Sequence, residues 1–342
     1  MYRRTFVLGL GGLAGLGMAA PALALEAARH GLTASLAEQR GETAVEEWHE
    51  IVREYGYSYQ ATAPAELLET LIVDVLGVQY AMDRQRDGAA LRELYRVSAL
   101  LAALMAMTVS NVGHTGNAAR WWRTARHLAH RSGTAETVAW VRGHEVVRGL
   151  YERRPLGTIL HLVDEAERLV DAAPVTGPPE LIAGKAQALA LAGRPDEATA
   201  TLRRLHDAYA ALPDEVTDDR DTIFVWAEDR LRYTEGFVYS QLGDVARADV
   251  AQRRAVEVYP SSDRRGPAQI QLQRALCLIR TGDTVEGVQL AHGVMSGLPR
   301  ADQIRPVLDL SSRVLDAVPL KQQKSAAVAE FREHLDALGL HR

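Results

Sequence analysis

Histidines, carboxylates and the lone cysteine hold most of the chemistry a chain of this kind can offer, so their spacing comes first. His127 and His130 stand three apart, a helical spacing at which two imidazoles can share a metal, and His144 with Glu145 follows soon after. A zinc site needs three or four converging ligands, and His144-Glu145-Val146-Val147-Arg148 lacks the second histidine of a helical zinc-protease motif. Solvated histidines are the expectation. Cys277 lies in Leu276-Cys277-Leu278, an apolar helical stretch that predicts a buried, inert thiol and rules out an internal disulfide. No Gly-rich phosphate loop, nucleophile elbow or paired-carboxylate signature stands out among 44 acidic residues. The reading is no catalytic residue, no metal and no cofactor; an enzyme or auxiliary factor on a helical scaffold is the last of three alternatives.

Arg120, Arg123, Arg126, His127, His130 and Arg131 form the polar side of a helix whose core side carries Trp122 beside Trp121. Such a side can attract an acidic partner or nucleic acid, although the aromatics on the core stripe favour a solvated basic face. Trp121, Trp122, Trp140 and Trp226 read as inter-helix core rather than a ligand cage.

The elements that must carry these residues are helices. The 342 residues are 47% hydrophobic, 24% charged and 6% aromatic with net charge −5, a balance that suits a globular chain and excludes a disordered acidic tail. An isoelectric point near 6.1 argues against a dedicated nucleic-acid binder. Apolar residues recur at three and four spacings, as in Leu67, Leu68, Leu71, Ile72, Val75, Leu76 and Val78, and no alternating run argues for strands. Gly113, Gly133, Gly193, Gly243, Gly282 and several prolines separate the stripes into helical hairpins.

Gly236, Tyr239, Gly243, Ala248, Ala255 and Pro260 then set a pattern: small residue, aromatic, glycine turn, small residues, closing proline. This resembles the tetratricopeptide repeat. Ala186, Leu189, Gly193, Ala198 and Leu205 repeat it, as do Ala275, Leu278, Gly282, Gly287, Val294 and Pro299, and in degenerate form Ala106, Val109, Gly113, Ala118 and Ala125. From Gly113 to Gly193 there is room for a middle unit of helices near 135–152 and 156–171. The expected fold is all-α, a right-handed superhelix of antiparallel helix pairs. Residues 1–25 read as a signal-like or linker segment, 26–95 as an N-terminal helical region and 96–342 as the repeat array.

Arg3-Arg4, Thr5, Phe6, Val7 and Leu8, with no charge until Glu26, resemble a twin-arginine export signal, Ala22-Leu23-Ala24 serving for cleavage. Export as an interaction scaffold is the second reading. The first follows from a further likeness. Glu47-Trp48-His49-Glu50-Ile51-Val52-Arg53-Glu54-Tyr55-Gly56-Tyr57, Trp121-Trp122-Arg123-Thr124-Ala125-Arg126 and Arg230-Leu231-Arg232-Tyr233-Thr234-Glu235 resemble the sensor region of actinobacterial XRE-family regulators, over nearly the whole chain from about residue 26. That resemblance implies a cytoplasmic regulatory array that binds an effector and can form a homodimer. A helix-turn-helix precedes the repeats in that family and is missing from this sequence, so direct DNA binding is not expected, nor is a membrane partner.

In such a superhelix the first helix of each pair lines the inner groove. By the resemblance, the inward positions are Arg230, Tyr233, Phe237 and Gln241 in the best repeat, Gln269, Leu272, Leu276 and Arg280 in the next, and Ser110 and Asn111 in the early one. Arginine and glutamine there would bond a peptide's backbone or carboxylate while Tyr233 and Phe237 cover its apolar side chains. The predicted partner is a peptide, small effector or protein.

Overall fold

A computed structural model describes residues 28–29, 31–32, 45–170 and 179–338. The described residues are all-α: no strand is present among them. The expected signal-like segment 1–25 lies outside them. Among the described residues, fourteen helices of 12 residues or more follow one another: α1 Val45–Ala61, α2 Pro64–Arg84, α3 Gly88–Asn111, α4 Thr115–Ser132, α5 Ala135–Tyr151, α6 Leu156–Val170, α7 Pro179–Leu191, α8 Pro195–Ala210, α9 Glu228–Leu242, α10 Val245–Val258, α11 Arg265–Thr281, α12 Thr284–Gly297, α13 Arg305–Asp316 and α14 Ala326–Ala337. Two compact units divide between Val141 and Arg142, inside α5. Residues 95 and 96, where sequence set a boundary, fall within α3.

In the first unit α3 is the central helix. Its residues from Val97 to Ser110 are all buried, as expected of a helix apolar on every side. Among the described residues α3 is the one helix long and apolar enough to cross a membrane, and 83% of its apolar window is buried inside the protein. Trp48, Ile51, Val52 and Tyr55 of α1, Leu67 and Leu71 of α2, and Ala118, Trp122, Ala125 and Ala129 of α4 complete the core.

The second unit stacks its neighbours through overlapping clusters. Val146 and Leu150 of α5 join Ile159, Val163 and Ala166 of α6 and Leu181 of α7. Ala183, Ala186 and Leu189 of α7 join Leu202 of α8 and Leu231 and Val238 of α9. Phe237 then joins Leu272 and Leu276 of α11, Val288 of α12, Val307 of α13 and Phe331 of α14.

The predicted glycine turns lie where the spacing put them. Gly113, Gly193, Gly243 and Gly282 have φ of 96°, 69°, 74° and 106°, the left-handed region that closes a helix without a Cβ penalty. At each, the next residue's N–H returns to the carbonyl five back; Asp244 donates to Tyr239 at 2.9 Å and Asp283 to Leu278 at 2.9 Å. Gly236 and Gly287 do different work. A Cβ at Gly236 would stand 2.8 Å from Gln273 Oε1, and one at Gly287 would stand 2.7 Å from the Ala275 carbonyl. Gly287 lets α11 and α12 come together, and Gly236 lets α9 approach both its partner α10 and the following α11.

Candidate functional site

Arg230, Tyr233, Phe237 and Gln241 recur every three or four residues along α9 and share one side of it. Phe237 is 1% exposed, its ring 6.4 Å from Tyr151 in an edge-on pair. The half-buried Tyr233 exchanges a short hydrogen bond with the Tyr151 hydroxyl and donates to Gln269 Oε1 at 3.1 Å. Gln269 in turn donates to the Arg265 carbonyl at 3.1 Å. The middle of the expected groove is therefore covered by the last turn of α5. Burial pushes both phenols well above their usual range, with the neighbouring Tyr233 oxygen adding to the effect on Tyr151. Both stay protonated at any physiological pH and serve as hydrogen-bond carriers rather than bases.

Two more of the predicted groove residues, Gln241 and Arg280, meet at its rim. Arg280 is exposed and donates to Gln241 Oε1 at 2.7 Å and to the Ser240 carbonyl at 3.2 Å. It satisfies carbonyls that the end of α9 leaves open. Leu272 and Leu276 are core residues at 0% and 2% exposure. Arg230 donates to the Ile223 carbonyl at 3.1 Å and lies 4.0 Å from Glu180.

What holds the α5 turn on this wall was not legible in any motif. After Tyr151 the chain turns through Arg153, the one described non-glycine residue with positive φ, 54°. Arg153 donates to Asp309 at 2.7 Å and to Asp316 at 3.1 Å, both on α13. Asp309 has a fully buried side chain and also accepts from Arg313. Arg313 and Arg305 reach back to the Leu150 and Tyr151 carbonyls at 2.9 Å and 3.1 Å. Three arginines and one buried carboxylate thus fasten the end of α5 to a helix more than 150 residues away.

A second polar group that the sequence did not single out lies where α5, α7 and α9 meet. Glu180, at the start of α7, accepts from Trp226 Nε1 at 2.8 Å and stands 3.9 Å from His144 Nε2. Burial alone would raise its carboxyl pKa, but His144, Arg230, the Trp226 N–H and Arg148 together hold it below its ordinary value. His144 was expected to be solvated; it is 3% exposed because Gly143 packs directly on Glu180 and draws α5 against α7. His127 and His130 are exposed. Among the described residues, no three His, Cys, Asp or Glu side chains gather as a metal site. Cys277 is buried, and burial raises its thiol pKa.

Ser110 and Asn111 belong to the first unit. Ser110 is fully buried, and Asn111 donates to Tyr59 at 3.1 Å, so both serve the end of α3. The same unit carries a cleft of about 470 Å³ bordered by Arg29, Glu47, Glu50, Glu54, Tyr55 and Asp74, with Tyr55 donating to Asp74. Arg29 sits 3.4 Å from both Glu47 and Asp74.

The second unit therefore gathers tyrosine, amide and arginine groups that fasten the end of α5 to α9 and α13. Compared with known proteins, the chain matches no family model, no curated protein and no solved structure.

Proposed function

We propose that this chain is a non-catalytic regulatory protein, a sensor built from tetratricopeptide-like helix pairs stacked in a right-handed superhelix, which answers to a peptide or small effector. The left-handed glycines recurring at the predicted phase support the repeat reading. The observation that carries the sensor reading is the fastening of the α5 turn on the Tyr233–Phe237 wall through Arg153 and Asp309. In a stacked array small rotations between neighbours accumulate, so exchanging an internal plug for an external ligand changes curvature along its length. The Gln241–Arg280 edge, where Arg280 is exposed, is where an effector first engages; Tyr233 and Phe237 become available as Tyr151 withdraws. A ligand can shift this balance only by its preference for the open wall.

Native mass spectrometry of the full chain from its own host tests this. A peptide or small molecule retained by the wild type, retained in larger amount by Asp309→Ala and lost with Arg280→Ala, is expected. A bare chain in all three would overturn the reading.

A further inference from the structure

We propose that the exposed face of α4 in the first unit is a docking site for an acidic, amphipathic helix of a partner protein. The helix carries Arg120, Arg123, Arg126, Arg131, His127 and His130 and no acidic residue. Ala118, Trp122, Ala125 and Ala129 bury its opposite side. Arg120, Arg123, His127, His130 and Arg131 are exposed; the first four follow one another at three- and four-residue steps, and Arg131 lies four residues after His127. At about 1.5 Å per residue they make a cationic ridge roughly 16 Å long. Among the described residues, Arg120, Arg123, His127 and His130 form no ion pair, although the second unit ties most of its arginines to carboxylates. Arg131 is steadied over the Tyr95 ring at 5.1 Å and donates to its hydroxyl.

Two further observations choose the occupant. Trp121 and Leu128, seven apart and half-buried, run beside the ridge as an apolar edge. A helix with carboxylates along one stripe and leucines along the next matches both, since guanidinium groups take carboxylates in paired hydrogen bonds. The distribution of charge also argues against a long polyanion. Helices α1 and α2 hold eight acids against two arginines, whereas α3 and α4 hold six arginines against a single glutamate. A nucleic-acid backbone, charged throughout, would meet the repulsion of the acidic α1 and α2 and of a chain at −5 overall. A short acidic helix ends where the ridge ends.

The test uses the full chain and a labelled helical peptide of roughly 18 residues, with glutamates on one stripe and leucines on the next, beside a labelled DNA duplex. Saturable binding of the peptide is expected by fluorescence anisotropy. It should weaken about tenfold in Arg120→Glu/Arg123→Glu and at high salt, while the variant keeps its helical circular dichroism. Arg120→Gln/Arg123→Gln, expected to weaken binding less, replaces it should charge reversal disturb folding. No saturable peptide binding, binding that ignores both variants, or tighter binding of the duplex would overturn the proposal.

Discussion

The turn at Gly243 and the turn at Arg153 make the same backbone move with different residues. Both leave a helix through the left-handed region, at φ of 74° and 54°. Both return the following N–H to the carbonyl five residues back, Asp244 to Tyr239 at 2.9 Å and Arg154 to Gly149 at 3.0 Å. At Gly243 no atom lies within 4 Å of where a Cβ would stand, so glycine is there for its dihedral freedom and not for room. At Arg153 the same dihedral costs a residue with a Cβ about 1–2 kcal/mol. That cost is offset by what the side chain does on leaving the helix: it delivers a guanidinium to the buried Asp309. Where a turn has only to reverse the chain, glycine suffices. Where it must also fasten a wall, the strain is kept.

The comparison can be broken hardest at the pair the Gly243 turn closes. Gly236→Trp puts an indole where a single Cβ already meets Gln273 and Gln252, so α9 and α10 cannot close. A loss exceeding about 4 kcal/mol, read as disappearance of the near-ultraviolet circular dichroism signal, is expected. Asp309→Ala leaves Arg153 and Arg313 facing a buried gap. Because Arg153 keeps a side-chain exposure of 44%, the expected loss is moderated to about 2–3 kcal/mol by urea denaturation. Gly243→Ala should cost about 1 kcal/mol in the same assay. Arg153→Gly relieves a similar strain and gives up the ion pairs, so a change within about 0.5 kcal/mol is expected. Stabilisation by the full value of the strain would mean that the pairs to Asp309 and Asp316 contribute nothing.

Least in size is a pH effect at Glu180. Its folded pKa lies below the ordinary 4.5, so its ionised form stabilises the fold above that value. The contribution is lost as pH falls through the folded value, because the unfolded chain takes up the proton first. Glu180→Gln should flatten stability across that acid range, measured by melting temperature against pH. An unchanged slope would show that His144 and Arg230 do not hold the carboxylate.

How much of this was legible follows from which constraints are local. Glycine phase reports positive φ at one position, so the turns at Gly113, Gly193, Gly243 and Gly282 could be read directly, and the middle pair near 135–152 and 156–171 followed from the space between them. The α13–α14 pair escaped because no glycine closes it; Pro319 and a short 3-10 turn at Leu320–Gln322 do. The repeat resemblance placed Arg230, Tyr233, Phe237 and Gln241 in one row along α9. That Tyr151 would cover it could not be read, since a contact between Arg153 and Asp309 leaves no spacing signal. Glu180 was one acid among many, and only the meeting of α5, α7 and α9 sets it apart.

Hydrogen exchange on the full chain, wild type beside Asp309→Ala, reads the fastening of α5 most directly. In the wild type, residues 148–154 should exchange as slowly as the centre of α9, and Asp309→Ala should release them together with 305–316 while α12 stays protected. Fast exchange of 148–154 in the wild type, or release confined to α13 in the variant, would show that α5 does not close the wall.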